Sequence, residues 1–183
     1  DMWIHEGWTT YLECLYVEHM FGYDDALKYT NGYKSKIANR EPIVIQRGIY
    51  RSPNQDQYFK GALFLHTLRS VVDDLSRRSG EAAKAEARWW KLLRDLYAEF
   101  KYRNVFTEDL VAFVNKQLGQ DLTPIFDQYL RRAALPVLEV TYNDTDKTIA
   151  YRWNAAERGF AMPLKVEVAG KPMVITPATT HWQ

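Results

Sequence analysis

Along the first two thirds of the chain apolar residues recur every three or four positions, the spacing that gathers side chains on one face of an α-helix. Residues 6–21 carry this pattern and close on Gly22, a residue suited to a helix C-terminus. A second helix is predicted through Ala26, Leu27, Tyr33 and Ile37, capped by Asp24 and weakened at Asn31-Gly32. Residues 58–75 place Ala62, Leu65, Leu68 and Val72 on one face before the polar S-R-R-S-G. The clearest pattern spans residues 81–102, where Ala85, Trp89, Leu92, Leu93, Leu96 and Phe100 form a stripe opposite Arg88, Lys91, Arg94 and Asp95. Thr107, followed by Glu108 and Asp109, starts another helix ending at Leu118-Gly119, and Thr123-Pro124 starts a last one ending near Arg132.

Residues 40–56 break the helical pattern with Pro42, Gly48, Pro53 and Asn54, around a strand-like P-I-V-I-Q. A compact domain usually retains so long a connection for a functional reason. At Leu135-Pro136 the period falls to two. V-L-E-V-T-Y, T-I-A-Y-R-W and P-L-K-V-E-V-A alternate apolar and polar residues, separated by the turn stretches N-D-T-D-K and A-A-E-R-G. This predicts about four antiparallel strands and, with no closing element, part of a sheet whose remainder lies elsewhere. The fold class is therefore mainly α, divided into a helical part over residues 1–134 and a β segment over 135–183.

Composition narrows the chemistry. With 183 residues, 46% hydrophobic and 14% aromatic, the chain can bury a substantial core and reads as a globular protein. Its 24 Lys and Arg balance 23 Asp and Glu, so no global field favours nucleic acid or an anionic membrane. No apolar run approaches the roughly 18 to 20 residues of a transmembrane helix. A single cysteine, Cys14, excludes an internal disulfide and a cysteine-rich zinc site, and reads as a buried helix thiol.

The candidate chemistry lies in W-I-H-E-G-W-T-T-Y-L-E, residues 3–13. A helix-borne zinc-protease motif is H-E-x-x-H, because residues four apart share a face and can share an ion. Here it cannot form: four residues after His5, His19 and His66 stand Thr9, Tyr23 and Ser70, and His181 is too near the end. Zinc sites with two histidines and a glutamate take the third ligand from a separate helix. Glu6 suits that role if it lies in a first helical turn, where the helix N-terminus would hold its carboxylate ionised, beside flexible Gly7 and between Trp3 and Trp8. Glu13, seven residues on, falls on the same face roughly 10 Å along the axis. On the residues alone, Glu6 reads first as an N-terminal helix glutamate that only favours the dipole. His19 and His66 read as packing or surface residues, Trp89, Trp90 and the second-helix tyrosines as core and interface, and S-R-R-S as a solvated helix end.

These eleven residues resemble the W-L-N-E-G-F-A-x-Y-x-E segment of the zinc aminopeptidases related to aminopeptidase N, the gluzincin aminopeptidases. Q-Y-F-K-G-A-L-F-L-H-T-L, from Gln57, is similar to the same family's Y-x-K-G-A-x-x-L-x-x-L helix, and F-D-Q-Y-L with P-V-L-E-V is similar to its junction between a helical catalytic domain and a β-sandwich. The resemblance covers nearly the whole chain in the same order, with His5 standing where the family usually has asparagine.

The resemblance implies a zinc-dependent aminopeptidase acting on peptides, with Glu6 as third zinc ligand, Glu13 near the metal site and Tyr58 donating its hydroxyl to the tetrahedral intermediate. Lys60 and Gly61 are expected to fix helix geometry. The zinc would act as a Lewis acid on the scissile carbonyl. The family's H-E-x-x-H and G-x-M-E-N motifs would both precede Asp1, so the rest of the polypeptide is needed to complete the site. The expectation is a helical C-terminal part of a gluzincin catalytic domain with the start of a β-sandwich, inactive by itself and a poor zinc binder. The alternative is a non-catalytic relative whose helical array serves as a protein-binding scaffold.

Overall fold

The computed structural model describes residues 1–49, 51 and 54–183. Six α-helices precede four strands among these residues: α1 Met2–Phe21, α2 Tyr23–Asn31, α3 Asp56–Arg78, α4 Ala85–Phe100, α5 Thr107–Leu118, α6 Thr123–Leu130, β1 Val137–Asn143, β2 Thr148–Asn154, β3 Leu164–Val168 and β4 Lys171–Ile175. Short 3₁₀ turns at Gly32–Lys36 and Ala82–Lys84 extend α2 and lead into α4.

Several boundaries differ from the sequence expectation for identifiable reasons. The first helix begins at Met2, four residues earlier than the apolar pattern suggests. Its opening residues are fixed by a partner remote in sequence: the Trp3 indole donates to Thr107 Oγ1 at 2.8 Å, and the Thr107 amide and hydroxyl donate to Asp1 at 2.9 and 2.6 Å. Asp24 does not cap α2; Gly22, at φ 93°, occupies that position and closes α1 as well. The weakness at Asn31-Gly32 appears as the change from α to 3₁₀ winding. Helix α5 keeps its expected limits, with Gly119 left-handed at φ 67° and Asp109 accepting the Phe106 amide at 2.9 Å.

P-I-V-I-Q is not a strand. Ile43 and Val44 are buried, and both amides donate at 3.0 Å to the Leu130 carbonyl, serving a free acceptor at the end of α6. Pro53, one of the breaker residues of this connection, lies outside the described residues.

Helix α3 is the centre of the helical part, packing along α1 on one side and α4 on another. Trp3, Tyr11 and Cys14 from α1 meet Phe64, Leu65, Leu68 and Val72 from α3, with Trp89 and Leu92 of α4 behind them. Cys14 and Trp89 are core residues, as expected. The β segment forms two antiparallel hairpins, β1–β2 and β3–β4, rather than one continuous sheet. Trp153 of β2 and Phe160 and Met162 of the β2–β3 connection enter the same core as the helices. The apolar face of the first hairpin runs from Leu138 and Trp153 at the buried end to exposed Tyr142 and Ile149 at the tip.

Candidate functional site

Helices α1 and α3 touch backbone to backbone at two glycines. A Cβ on Gly7 would stand 3.1 Å from both the Gln57 carbonyl oxygen and the Gly61 Cα, and one on Gly61 would stand 3.0 Å from the Gly7 Cα. Gly7 is thus a packing glycine rather than a flexible one. Glu6 and Tyr58 are each the immediate chain neighbour of a residue in this crossing, Glu6 of Gly7 and Tyr58 of Gln57. The fold therefore brings the two expected chemical segments together, although fifty-odd residues of chain separate them.

Glu6 is half-buried and, among the described residues, makes no hydrogen bond or ion pair. Because α1 starts at Met2, Glu6 lies in the second turn, and the expected hold of the helix N-terminus on its carboxylate does not apply. Trp3 does not wall the carboxylate either, since it is turned fully into the core. Tyr58, also half-buried, is in the first turn of α3; its ring lies 6.4 Å from that of Phe59 and its hydroxyl has no partner among the described residues. A phenol can donate a hydrogen bond and a carboxylate can serve as a hard oxygen ligand.

Glu13 has a different environment. Its Oε2 accepts the hydroxyls of Tyr29 and Tyr33, each at 2.9 Å, which ties α1 to α2 and the 3₁₀ turn after it. Burial and the hydrogen bond to Tyr29 push the Tyr33 phenol well above its ordinary range. Both tyrosines keep their protons and donate hydrogen bonds to Glu13.

Around the start of α3 two buried charges are bound to other parts of the chain. The Asp56 carboxylate is 1% exposed and accepts the amides of Ala38 and Asn39 at 2.8 and 2.7 Å. The Lys60 ammonium, 2% exposed, donates at 3.0 Å to the carbonyls of both Arg132 and Ala133, at the junction between α6 and the strands. Burial pulls the Lys60 pKa down to about 8, with the Asp56 charge opposing the shift. Lys60 thus fixes more than its own helix.

Deeper along α1, Glu18 and Arg69 form a bidentate pair at 2.6 and 2.8 Å that joins α1 to α3. His66 stacks on Tyr23 and tilts against Tyr11; burial, then the nearby Arg69 charge, lower its pKa, so it is a packed neutral imidazole. His19 is an exposed residue of the last turn of α1. His5 is exposed and lines a cavity of about 560 Å³ beside the start of α1, with Ile43, Ile45 and Phe106 among the other walls.

No group of three His, Cys, Asp or Glu side chains is positioned to hold a metal among the described residues.

No protein-family model matches the sequence, and no curated protein matches it. Solved structures do. An M1 zinc metallopeptidase from Deinococcus radiodurans, solved as a mutant bound to a Tyr-Ser-Ala substrate, is similar at TM-score 0.57 and 26% identity over 75% of this chain. The chain is built like a zinc metallopeptidase over the matched residues. Aminopeptidase A from Legionella pneumophila, solved in complex with aspartic acid, matches 100% of this chain at TM-score 0.62 and 14% identity, a likeness of fold. The chain spans 29% of the length of the first and 22% of the second. A peptidase-related role is the functional class that the first of these likenesses supports.

The sequence reading missed Asp56, the Glu18–Arg69 pair and the two tyrosines on Glu13. Asp56 and Lys60 stand four apart at a helix start, a visible signal, but their partners at 38–39 and 132–133 are distant in the chain.

Proposed function

We propose that this chain is the C-terminal portion of the catalytic domain of a zinc aminopeptidase, together with the start of a β domain, and that the boundary falls at residues 134 and 135. The observation that carries the reading is the Gly7–Gly61 crossing, which sets the Glu6 and Tyr58 segments side by side in a fold similar to that of a zinc metallopeptidase. In this reading Glu6 is one ligand of a zinc ion and the remaining protein ligands come from polypeptide outside this chain. Zinc, when bound, supplies Lewis-acid polarisation of a peptide carbonyl.

The residues on this chain have separate tasks. Glu6 presents its carboxylate from the second turn of α1 as an anionic oxygen ligand. Tyr58 donates its O–H toward the position where negative charge develops on the carbonyl oxygen. Glu13 stands two turns beyond Glu6 and holds α2 against α1 through the two tyrosine hydroxyls, so its task is to brace the ligand-bearing helix.

Zinc content tests the assignment. Elemental analysis of the full-length protein is expected to find one zinc per chain, residues 1–183 alone none, and the full-length Glu6→Ala variant none while its circular dichroism stays that of the parent. Stoichiometric zinc in Glu6→Ala would remove Glu6 from the ligand set, and no zinc in the parent would favour a protein-binding scaffold.

A further inference from the structure

The start of α3 is held in an unusual way. Gln55, at its N-cap position, makes no side-chain capping bond, and Asn54 Oδ1 accepts the Asp56 amide at 2.8 Å instead. The first turn carries Tyr58, whose amide donates to the Gln55 carbonyl at 3.0 Å, and a helix end has few intrahelical bonds to hold it in place. Asp56 and Lys60 lie one turn apart on one side of that helix, with Tyr58 between them in sequence and turned well away from that side. Both charges are buried, a costly arrangement unless each is fully engaged. Each is engaged with backbone: Asp56 with two amides of the connection after α2, Lys60 with two carbonyls of the junction leading to β1. That junction is bound again by Gln128, whose side-chain amide donates to Ala134 O at 2.9 Å and whose Oε1 accepts the Glu157 amide at 2.9 Å.

Together these bonds make the first turns of α3 one rigid piece with the junction. We infer that Lys60 is a positioning residue for Tyr58: by binding the carbonyls of Arg132 and Ala133 it fixes the azimuth and height of the helix turn that aims the Tyr58 hydroxyl, and so couples that hydroxyl to the seating of the β segment. The inference rests on the proposed role of Tyr58. Methionine at position 60 keeps the length and apolar packing of the stem and deletes the donors, leaving two carbonyls without their ammonium. The turn then loses its anchor on that side, and a displacement on the order of 1 Å at a catalytic group is enough to cost about a hundredfold in rate.

A double-mutant cycle in the full-length protein on a peptide substrate tests this, with the melting temperature of every variant measured alongside. Tyr58→Phe is expected to lower kcat by roughly a hundredfold with KM little changed, as loss of an oxyanion donor does. Lys60→Met is expected to lower kcat by about tenfold or more with KM within about twofold, and to produce no further loss when added to Tyr58→Phe. A residue that only stabilised the fold would lower the melting temperature and leave kcat per folded molecule unchanged in both backgrounds. If Lys60→Met does not fold, Lys60→Gln, which retains one donor, takes its place in the cycle. Equal fractional losses with and without the Tyr58 hydroxyl, or an unchanged kcat at position 60, overturn the positioning role alone. An unchanged kcat in Tyr58→Phe overturns the reading of Tyr58 itself.

Discussion

A lysine ammonium in water holds its proton to about pH 10.4, yet Lys60, enclosed and bound to carbonyl oxygens, loses it near pH 8. Its folded state therefore releases a proton that the unfolded chain still binds between about pH 8 and pH 10.4, and in that window folding becomes more favourable as pH rises. Below pH 8 both states carry the charge, and the contribution of Lys60 is flat. Tyr129 has the opposite effect: burial pushes its phenol up to about 12, so above about pH 10 the unfolded state ionises first and stability falls. Urea denaturation midpoints measured from pH 7 to 10 should show a rise that disappears in Lys60→Met. A rise of the same size in the variant would assign it to other groups. The residue types of the candidate site were legible in the sequence, since Glu6, Glu13 and Tyr58 stand inside recognisable segments. Their environments were not: the second-turn position of Glu6 follows from bonds among Asp1, Trp3 and Thr107, which no local pattern contains.

Among the helices, the α1–α3 crossing is the decisive contact, and it depends on two missing side chains. An added methyl group at Gly61 would stand 3.0 Å from backbone on α1, which cannot rotate away, so Gly61→Ala must push the helices apart. A loss of about 1 to 3 kcal/mol is expected, in line with overpacking elsewhere. Gly32 is the control, because its backbone is right-handed at φ −59° and nothing lies within 4 Å of an added Cβ. Gly32→Ala should be neutral or stabilising by roughly 0.4 to 1 kcal/mol. Thermal melts of the two variants decide the matter, and equal stability of Gly61→Ala and the parent would mean that the crossing is looser than the structure shows. Sequence alone placed both glycines in helices. Only the pairing of Gly7 with Gly61 distinguishes them from Gly32, and pairing is a tertiary fact.

Over the whole molecule, the helices and the strands share one interior. Phe160 is fully buried, in edge-to-face contact with Trp153 at 5.3 Å and tilted against Tyr129 of α6 at 6.2 Å. The Trp153 indole donates to the Met162 carbonyl at 3.1 Å, fixing the β2–β3 connection beneath it. Truncation of such a ring costs about 3 to 5 kcal/mol. Phe160→Ala should therefore lower the melting temperature of helical and strand signals together, in one transition. Loss of the strand signal while the helices melt at the parental temperature would show that the β segment is stabilised independently.

Periodicity by itself determined the order of the elements: helical spacing to residue 130, alternation from Val137, and a sharp end wherever a glycine could adopt φ near +70° to +90°, as at Gly22 and Gly119. These are local properties, written in which face each side chain occupies. The sequence also carried the residue types of the candidate site, because such segments keep their chemistry in short runs. Tertiary structure decided the rest. P-I-V-I-Q has the composition of a strand but found no strand partner, and its amides serve the end of α6. The β segment divides into two hairpins because its buried residues, Trp153, Phe160 and Met162, pack on helices. Glu6 and Tyr58 became neighbours of one crossing, and Lys60 became a bond to the junction, because hydrogen bonding and close packing reward contacts without regard to chain separation.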